Sequence, residues 1–236
     1  MNKWIAGALG WTFFGPIGGI FAYWLASRSE DASEKTGDKQ SFEQGQRNSF
    51  LMSLLVLSAA VIKADGRTSS QEITKLHQFF SRNFGTQAAD EACEILENIV
   101  DKEYDIISVC RQIKSCMEYS QRLQLYHFLV SLAQCDGMTK SEADVLEYIA
   151  IYLSISKADY DSIVSIFNPD KDSNYKILEI KPDATNEEVK AAYRKMAVRY
   201  HPDKVATLGE DIQKLAEEKF KAVNQAYEAI CKERGI

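Results

Sequence analysis

Apolar residues recur at helical spacing through most of the chain between residues 42 and 168. Two stretches, 50–62 and 125–133, are strongly apolar, with positions three and four residues apart on one face. That period is typical of an α-helix and not of a strand. Shorter amphipathic segments of the same period follow each stretch. The pattern predicts an all-α domain over residues 42–168.

The two apolar stretches are followed by the same series of stop and start signals. Each ends at an Asp-Gly pair, where the glycine is expected to end the helix in the left-handed region. Each pair is followed by a capping box that starts a new amphipathic helix. The pairs are Asp65-Gly66 and Asp136-Gly137, and the boxes are Ser69 with Glu72 and Thr139 with Glu142. The sequence therefore predicts an internal repeat of two helix pairs.

A further pair of amphipathic segments lies within residues 172–236. Thr185 with Glu188 forms another capping box, which predicts a helix that begins directly after Thr185. Its apolar stripe ends at Tyr200, because Pro202 cannot continue a helix. The apolar positions of the next helix are Ile212, Leu215, Ala216, Phe220, Val223, Tyr227 and Ile230. This segment is predicted to be a helical hairpin.

The corner of the hairpin carries the tripeptide His201-Pro202-Asp203. Pro202 disfavours the α region for the residue before it, so the imidazole and the carboxylate are expected to point into solvent. The surrounding cations are Lys190, Arg194, Lys195, Arg199 and Lys204. A basic helix that ends in an exposed His and Asp is expected to recognise an acidic protein surface.

Residues 1–27 are apolar and rich in glycine, whereas residues 28–41 are polar. Because roughly 20 apolar residues cross the hydrocarbon layer, we expect 1–27 to be a membrane anchor and 28–41 a flexible linker. A cleaved signal peptide and a soluble glycine-rich segment are the alternatives. Small residues recur every four positions at Gly18, Ala22 and Ala26. This spacing favours close helix packing, so we expect a homodimer through the anchor.

Composition excludes several classes of function. The chain has 236 residues, a net charge of −6 and five cysteines without a C-x-x-C pair. Such cysteines indicate free thiols in a reducing compartment and not a disulfide or zinc framework. Residues 172–236 hold twelve basic and twelve acidic side chains, so we expect no nucleic-acid partner. We find no Ser-His-Asp, Cys-His or phosphate-loop pattern, and therefore expect neither an enzyme nor a cofactor.

The acidic residues at the two Asp-Gly corners have two interpretations. If they converge, their oxygens would suit a divalent cation. Capping alone also explains them, and we prefer this interpretation. The residues are Asp65, Glu72, Asp136 and Glu142. His77 and His127 lie among apolar helical positions and are interpreted as packed core residues.

The C-terminal motifs resemble the J domain of DnaJ-type co-chaperones. Residues 174–178 are similar to its short first helix, His-Pro-Asp is its signature, and residues 220–227 are similar to its third helix. The resemblance implies docking on a DnaK-type heat-shock chaperone. The five cations named above would steer the encounter, and His201, Pro202 and Asp203 would form the specific contact. One departure is Glu179, where the family usually has glycine.

The repeated helix pairs resemble the all-helical TerB-like domain named from tellurite-resistance proteins. The order of anchor, TerB-like domain and J domain is similar to the DjlA-type membrane DnaJ-like proteins of bacteria. This resemblance implies a single-pass inner-membrane co-chaperone, mostly cytosolic, that stimulates ATP hydrolysis by a DnaK-type chaperone. The alternative is a metal-responsive stress or signalling scaffold built on the TerB-like domain. A metal-dependent hydrolase has no candidate base or nucleophile beyond the capping carboxylates.

Overall fold

The computed structural model describes residues 38–100, 105–208 and 210–236, and every regular element in these ranges is helical. The all-α prediction is therefore confirmed for the described residues. The elements are α1 (Asp38–Lys63), α2 (Ser70–Phe84), α3 (Thr86–Val100), α4 (Ile106–Cys116), α5 (Tyr119–Ala133), α6 (Lys140–Tyr152), α7 (Lys157–Phe167), α8 (Ser173–Ile177), α9 (Asn186–Arg199), a 3₁₀ segment (Pro202–Leu208) and α10 (Glu210–Arg234). We call α1–α7 the bundle and α8–α10 the C-terminal domain.

The predicted helix ends are confirmed at both Asp-Gly corners. Gly66 and Gly137 have φ of 74° and 101°, which only glycine adopts without strain. The capping boxes of Ser69 and Thr139 are both formed, so α2 and α6 begin in the same way. The apolar helices α1 and α5, which precede the corners, pack against each other in the centre of the bundle.

The N-terminal predictions are only partly covered by the described residues. Helix α1 begins at Asp38, so the prediction of a flexible linker is wrong for residues 38–41. Lys and Gln are good helix formers, and a helix stabilised by packing further along can extend through them. The predicted anchor, residues 1–27, lies outside the described residues. Within the described ranges, no helix has the length and apolar character needed to cross a membrane.

The C-terminal domain is a helical hairpin, as predicted, with the short helix α8 packed against α10. Tyr193 of α9 and Tyr227 of α10 stack with their ring centroids 4.2 Å apart. Val189 and Met196 of α9 are fully buried, as the apolar stripe required. The apolar faces of the two helices therefore close the hairpin.

The bundle and the C-terminal domain share one continuous apolar core. Helix α8 packs on α7, the 3₁₀ segment packs on α1, and α10 contacts α2 and α5. Only five residues separate α7 from α8. The C-terminal domain is therefore held against the bundle by direct packing.

Candidate functional site

The His-Pro-Asp corner lies between the end of α9 and the 3₁₀ segment. The side chains of His201 and Asp203 are 50% and 85% exposed. His201 Nδ1 accepts a hydrogen bond from the backbone N–H of Asp203 at 3.3 Å. The imidazole ring and the Phe220 ring form an edge-to-face contact, with centroids 5.8 Å apart. The corner thus presents an oriented imidazole and a carboxylate to a partner.

Buried residues on both sides hold this corner in place. Tyr200 directly precedes His201 and is 1% exposed, and Val205 and Leu208 of the 3₁₀ segment are buried to the same extent. The exposed tripeptide is therefore preceded directly by one buried residue and followed within a few positions by two others. The exposed groups are therefore fixed by packing beneath them, which preserves their orientation for recognition.

An open groove of about 410 Å³ runs beside the corner. It is lined by Ala197, Val198, His201, Asp203, Lys204 and Phe220. Val198 is 64% exposed, which is unusual for an aliphatic residue on an otherwise basic helix. The groove therefore combines an apolar floor with a charged rim, as a protein-docking surface requires.

Four of the five predicted cations lie on the surface. Lys190, Arg194, Lys195 and Lys204 are exposed, around or before the corner. The structure therefore leaves these four side chains available to a partner, and their role as chaperone contacts stays a prediction. Arg199 lies in a different environment.

Arg199 forms ion pairs at the boundary between the bundle and the C-terminal domain. Its Nη1 donates to Asp159 Oδ1 at 2.7 Å and to Glu179 Oε1 at 2.6 Å. The Arg199 side chain is 24% exposed, whereas those of Asp159 and Glu179 are 2% and 5% exposed. Lys195 Nζ also reaches Glu179 Oε2, at 3.4 Å. The last turn of the basic helix is thus tied to buried carboxylates.

Asp159 accepts hydrogen bonds from four side chains. Tyr119 and Ser156 donate to Oδ2, and Tyr200 and Arg199 donate to Oδ1, all at 2.6–2.7 Å. Burial alone would raise the pKa of Asp159, but hydrogen bonds from its neighbours hold this pKa well below the ordinary value. Asp159 is therefore a buried, ionised carboxylate.

Glu179 has a left-handed backbone, with φ of 57°. This conformation explains why the J-domain family usually has glycine at this position. Burial, followed by the hydrogen bond with Asp159, raises the pKa of Glu179. The side chain that departs from the family pattern is the one that bridges Arg199 and Lys195.

Lys219 of α10 is completely buried in the same region. Its Nζ donates to Ser162 Oγ at 2.8 Å, and Ser162 in turn donates to the carbonyl oxygen of Ile177 at 2.7 Å. The ammonium also lies 5.0 Å from the centre of the Tyr200 ring. Burial lowers the pKa of Lys219 to about 7, against the attraction of Asp159 and Glu179.

Sequence reasoning missed Asp159 and Lys219, although each had a local signal. Asp159 follows Ser156 by three residues, the spacing of a helix cap, and Ser156 does cap α7. Lys219 lies on a regular series of buried positions of α10, alternately four and three residues apart. These positions are Ile212, Ala216, Lys219, Val223, Ala226 and Ile230. A lysine in such a series indicates an amine that is buried and hydrogen-bonded within the protein.

The acidic corners of the bundle meet through their capping glutamates. Glu72 and Glu142 are both buried, and their carboxyl groups are within hydrogen-bonding reach of each other. Burial, with smaller contributions from Glu142 and Asp136, raises the pKa of Glu72 to about 7. Asp65 accepts from the backbone N–H of Arg67 within its own loop. Among the described residues, no group of three or more His, Cys, Asp or Glu side chains could hold a metal ion.

Replacing Glu72 by glutamine should raise the free energy of unfolding above pH 7. Between pH 4.5 and 7, the folded wild type holds a proton on Glu72 that the unfolded chain has lost, so its stability falls as pH rises. Glutamine does not titrate, so the variant does not lose stability in this pH range. At pH 8 its free energy of unfolding should exceed that of the wild type by up to roughly 3 kcal/mol. Urea unfolding at several pH values measures this difference.

The same variant separates the capping interpretation from metal binding. Added Mg²⁺ or Ca²⁺ should leave the melting temperature of the wild-type chain unchanged. A large rise in the wild type that the Glu72→Gln variant lacks would instead assign the corner to a cation, against our preferred interpretation.

The two histidines of the bundle have different environments. His127 is buried, as predicted, with its ring 5.4 Å from that of Phe167. The prediction for His77 is wrong, because its side chain is 35% exposed and lies 2.9 Å from Asp90 Oδ1. Helix α3, which carries Asp90, packs against α2 and supplies this polar neighbour.

Comparison with known proteins matches both parts of the chain. The family described as tellurite resistance protein TerB matches residues 51–164, and the DnaJ domain family matches residues 173–235. No solved structure matches the chain. The two family matches correspond to most of the bundle and to the C-terminal domain.

Individual relatives show the same division. The chain is 23% identical to the co-chaperone protein DjlA of Coxiella burnetii, over 100% of this chain and 98% of that protein. It is 22% identical to the co-chaperone protein DjlA of Legionella pneumophila, over 80% of this chain and 78% of that protein. The chaperone protein DnaJ of Mycoplasma genitalium is 46% identical over 59 residues, which are 25% of this chain and 15% of that protein. The chain therefore combines a TerB domain with a DnaJ domain, and in this it is a J-domain protein similar to the DjlA co-chaperones.

Proposed function

We propose that this protein is a co-chaperone whose J domain, the C-terminal domain described above, docks on a DnaK-type (heat-shock 70) chaperone and stimulates its ATP hydrolysis. The observation that carries the proposal is the exposed His201 and Asp203 at the end of a basic helix. The names of the two co-chaperones that match most of this chain support it.

The exposed cations would act first, during the encounter. Lys190, Arg194, Lys195 and Lys204 give one side of the J domain a positive potential, although the domain as a whole is neutral. Such a patch speeds association with an acidic surface and loses its effect as salt is added. Val198 would then enter an apolar contact beside the corner.

The corner would act second, by binding one state of the chaperone better than the other. His201 offers a ring nitrogen and Asp203 a carboxylate, both fixed by the buried residues around them. A ligand shifts a conformational equilibrium only by its differential affinity for the two states. The J domain would therefore favour the hydrolysis-competent state, while the ATP and the catalytic groups lie in the chaperone. The protein itself would catalyse no reaction.

A steady-state ATPase measurement tests this function. The full chain, added to a DnaK-type chaperone, should raise the rate of ATP hydrolysis severalfold over the chaperone's basal rate at the same salt concentration. At limiting concentrations the stimulation should fall as ionic strength increases, because steering is screened. No stimulation at any concentration or salt would refute the proposal.

We further propose that residues 1–27 anchor the protein in the inner membrane as a single span, with the bundle and the J domain in the cytosol. The apolar composition of this segment supports the proposal. The full chain should stay with bacterial membranes through an alkaline wash, and a chain without residues 1–27 should not. Recovery of a mature protein that begins near residue 27 would instead indicate a signal peptide.

A further inference from the structure

We propose that Asp159 and Glu179 form an intramolecular docking site for Arg199, and that this site competes with the chaperone for the basic helix α9. The proposal rests on the proposed function, because the chaperone is the competitor. In this proposal, the J domain binds the bundle of the same chain before it binds the chaperone.

The contact joins two parts of the chain that lie far apart in sequence. Asp159 belongs to α7 of the bundle, 40 residues before Arg199. The guanidinium of Arg199 bonds Asp159 and Glu179 at the same time, and its side chain is 24% exposed, compared with 61% for Lys195 on the same helix. Arg199 must therefore leave these carboxylates before it can pair with an acidic partner.

The bundle prepares its half of the site without help from the J domain. Tyr119 and Ser156 both donate to Asp159 Oδ2, and both belong to the bundle. Their hydrogen bonds orient the buried carboxylate, while Oδ1 receives Tyr200 and Arg199. A buried carboxylate is strongly destabilising unless a cation pairs with it. The bundle thus holds a buried carboxylate in a fixed orientation, and an ion pair with Arg199 stabilises this carboxylate.

Glu179 indicates that the contact has a function of its own. Its left-handed backbone is strained, and glycine at this position would avoid the strain. The strained residue places a buried carboxylate between Arg199 and Lys195. Asp159 lies outside residues 173–235, which match the DnaJ domain, so the site requires the bundle as well as the J domain.

The site lowers the charge that α9 offers to a partner. Of the four cations that precede the corner, Arg199 is paired with two carboxylates and Lys195 with one. Release of the helix would expose Arg199, free Arg199 and the already exposed Lys195 from their carboxylate partners, and free the turn next to His201. Since association with an acidic surface accelerates with positive potential, the released form should bind the chaperone faster.

Two variants of the full chain test the proposal, together with one matched control. Asp159→Asn removes the charge of the bundle's carboxylate, and Glu179→Gly removes the bridging carboxylate while relieving the positive-φ strain. Asp161→Asn is the control, because it removes the same charge from an exposed ion pair with Lys157 on the same helix. Far-UV circular dichroism checks that each variant is folded, and Glu179→Gly keeps the test valid if Asp159→Asn does not fold.

Two measurements are made on each variant. Amide hydrogen exchange in α9 should be faster in both test variants than in the wild type and the control. The association rate constant with a DnaK-type chaperone at low ionic strength should rise about three- to tenfold, and this gain should shrink at high salt.

The outcomes separate the two proposals. Unchanged exchange in both variants overturns the docking site, and faster exchange with unchanged or slower association overturns the competition. If the wild type neither binds nor stimulates the chaperone, the proposed function fails and the competition with it. The exchange measurement then still decides whether Asp159 and Glu179 hold the helix.

Discussion

Replacing His201 by glutamine should abolish the stimulation of a DnaK-type chaperone's ATPase by the full chain. The imidazole is half exposed. It makes an edge-to-face contact with Phe220, accepts a hydrogen bond from the backbone of Asp203 and lies 3.4 Å from the Asp203 carboxylate, which is itself exposed. Glutamine keeps the polarity but not the ring or the position of its nitrogen. The melting temperature should therefore stay nearly unchanged, as for most surface substitutions, which alter stability by about 0.5 kcal/mol or less.

The bundle offers a matched control for this experiment. His77 is also a partly exposed histidine beside an aspartate, Asp90, but it lies on α2. His77→Gln should leave the stimulation at the wild-type level. If His201→Gln stimulates normally, the corner is not the functional contact. If it loses stimulation but also unfolds at a much lower temperature, His201 has a structural role that the geometry does not indicate.

Replacing Lys219 by methionine should stabilise the protein at pH 7 and below. The ammonium of Lys219 is fully buried, and desolvation lowers its pKa to about 7. Between pH 7 and 10.5, the unfolded chain holds a proton that the folded wild type has lost. The stability of the wild type therefore rises with pH across this window, and the full cost of burying the charge applies below it.

The shift in pKa sets the size of this effect at roughly 3–5 kcal/mol. Methionine fills a similar volume without charge, and Ser162 can still donate to the carbonyl oxygen of Ile177. The gain in the free energy of unfolding, measured by urea denaturation, should be largest at pH 6–7 and shrink towards pH 10.

Lys221→Met, an exposed position on the same helix, is the control and should change stability little at any pH. A Lys219→Met variant that is less stable than the wild type at every pH would contradict this account. It would mean that the bond to Ser162 and the attraction of Asp159 outweigh desolvation.

Much of this molecule follows from local residue patterns. Ser69, Thr139 and Thr185 begin helices because a hydroxyl and a glutamate three residues later satisfy backbone groups within one turn. Gly66 and Gly137 end helices because a positive φ costs glycine little. Pro202 ends α9 at the His-Pro-Asp corner in the same local way. These features involve residues a few positions apart, so no knowledge of packing is needed to predict them.

Tertiary structure alone decides how these elements are used. Arg199 and Arg194 are alike in the sequence, yet Arg199 bonds Asp159, because the fold brings the first turn of α7 within side-chain reach of the last turn of α9. Glu72 and Glu142 each appear as a local cap, yet the packing of the repeats buries both of them. This burial, with a smaller contribution from the Glu142 carboxyl, raises the pKa of Glu72.

The buried state of Lys219 is likewise decided by tertiary structure and not by the local sequence. A lysine in an amphipathic helix is expected in solvent, and its neutralisation depends on the helices that enclose it. Burial and electrostatic interaction depend on the distances between groups in space, and for residues 40 or more positions apart these distances are fixed by packing and not by spacing along the chain.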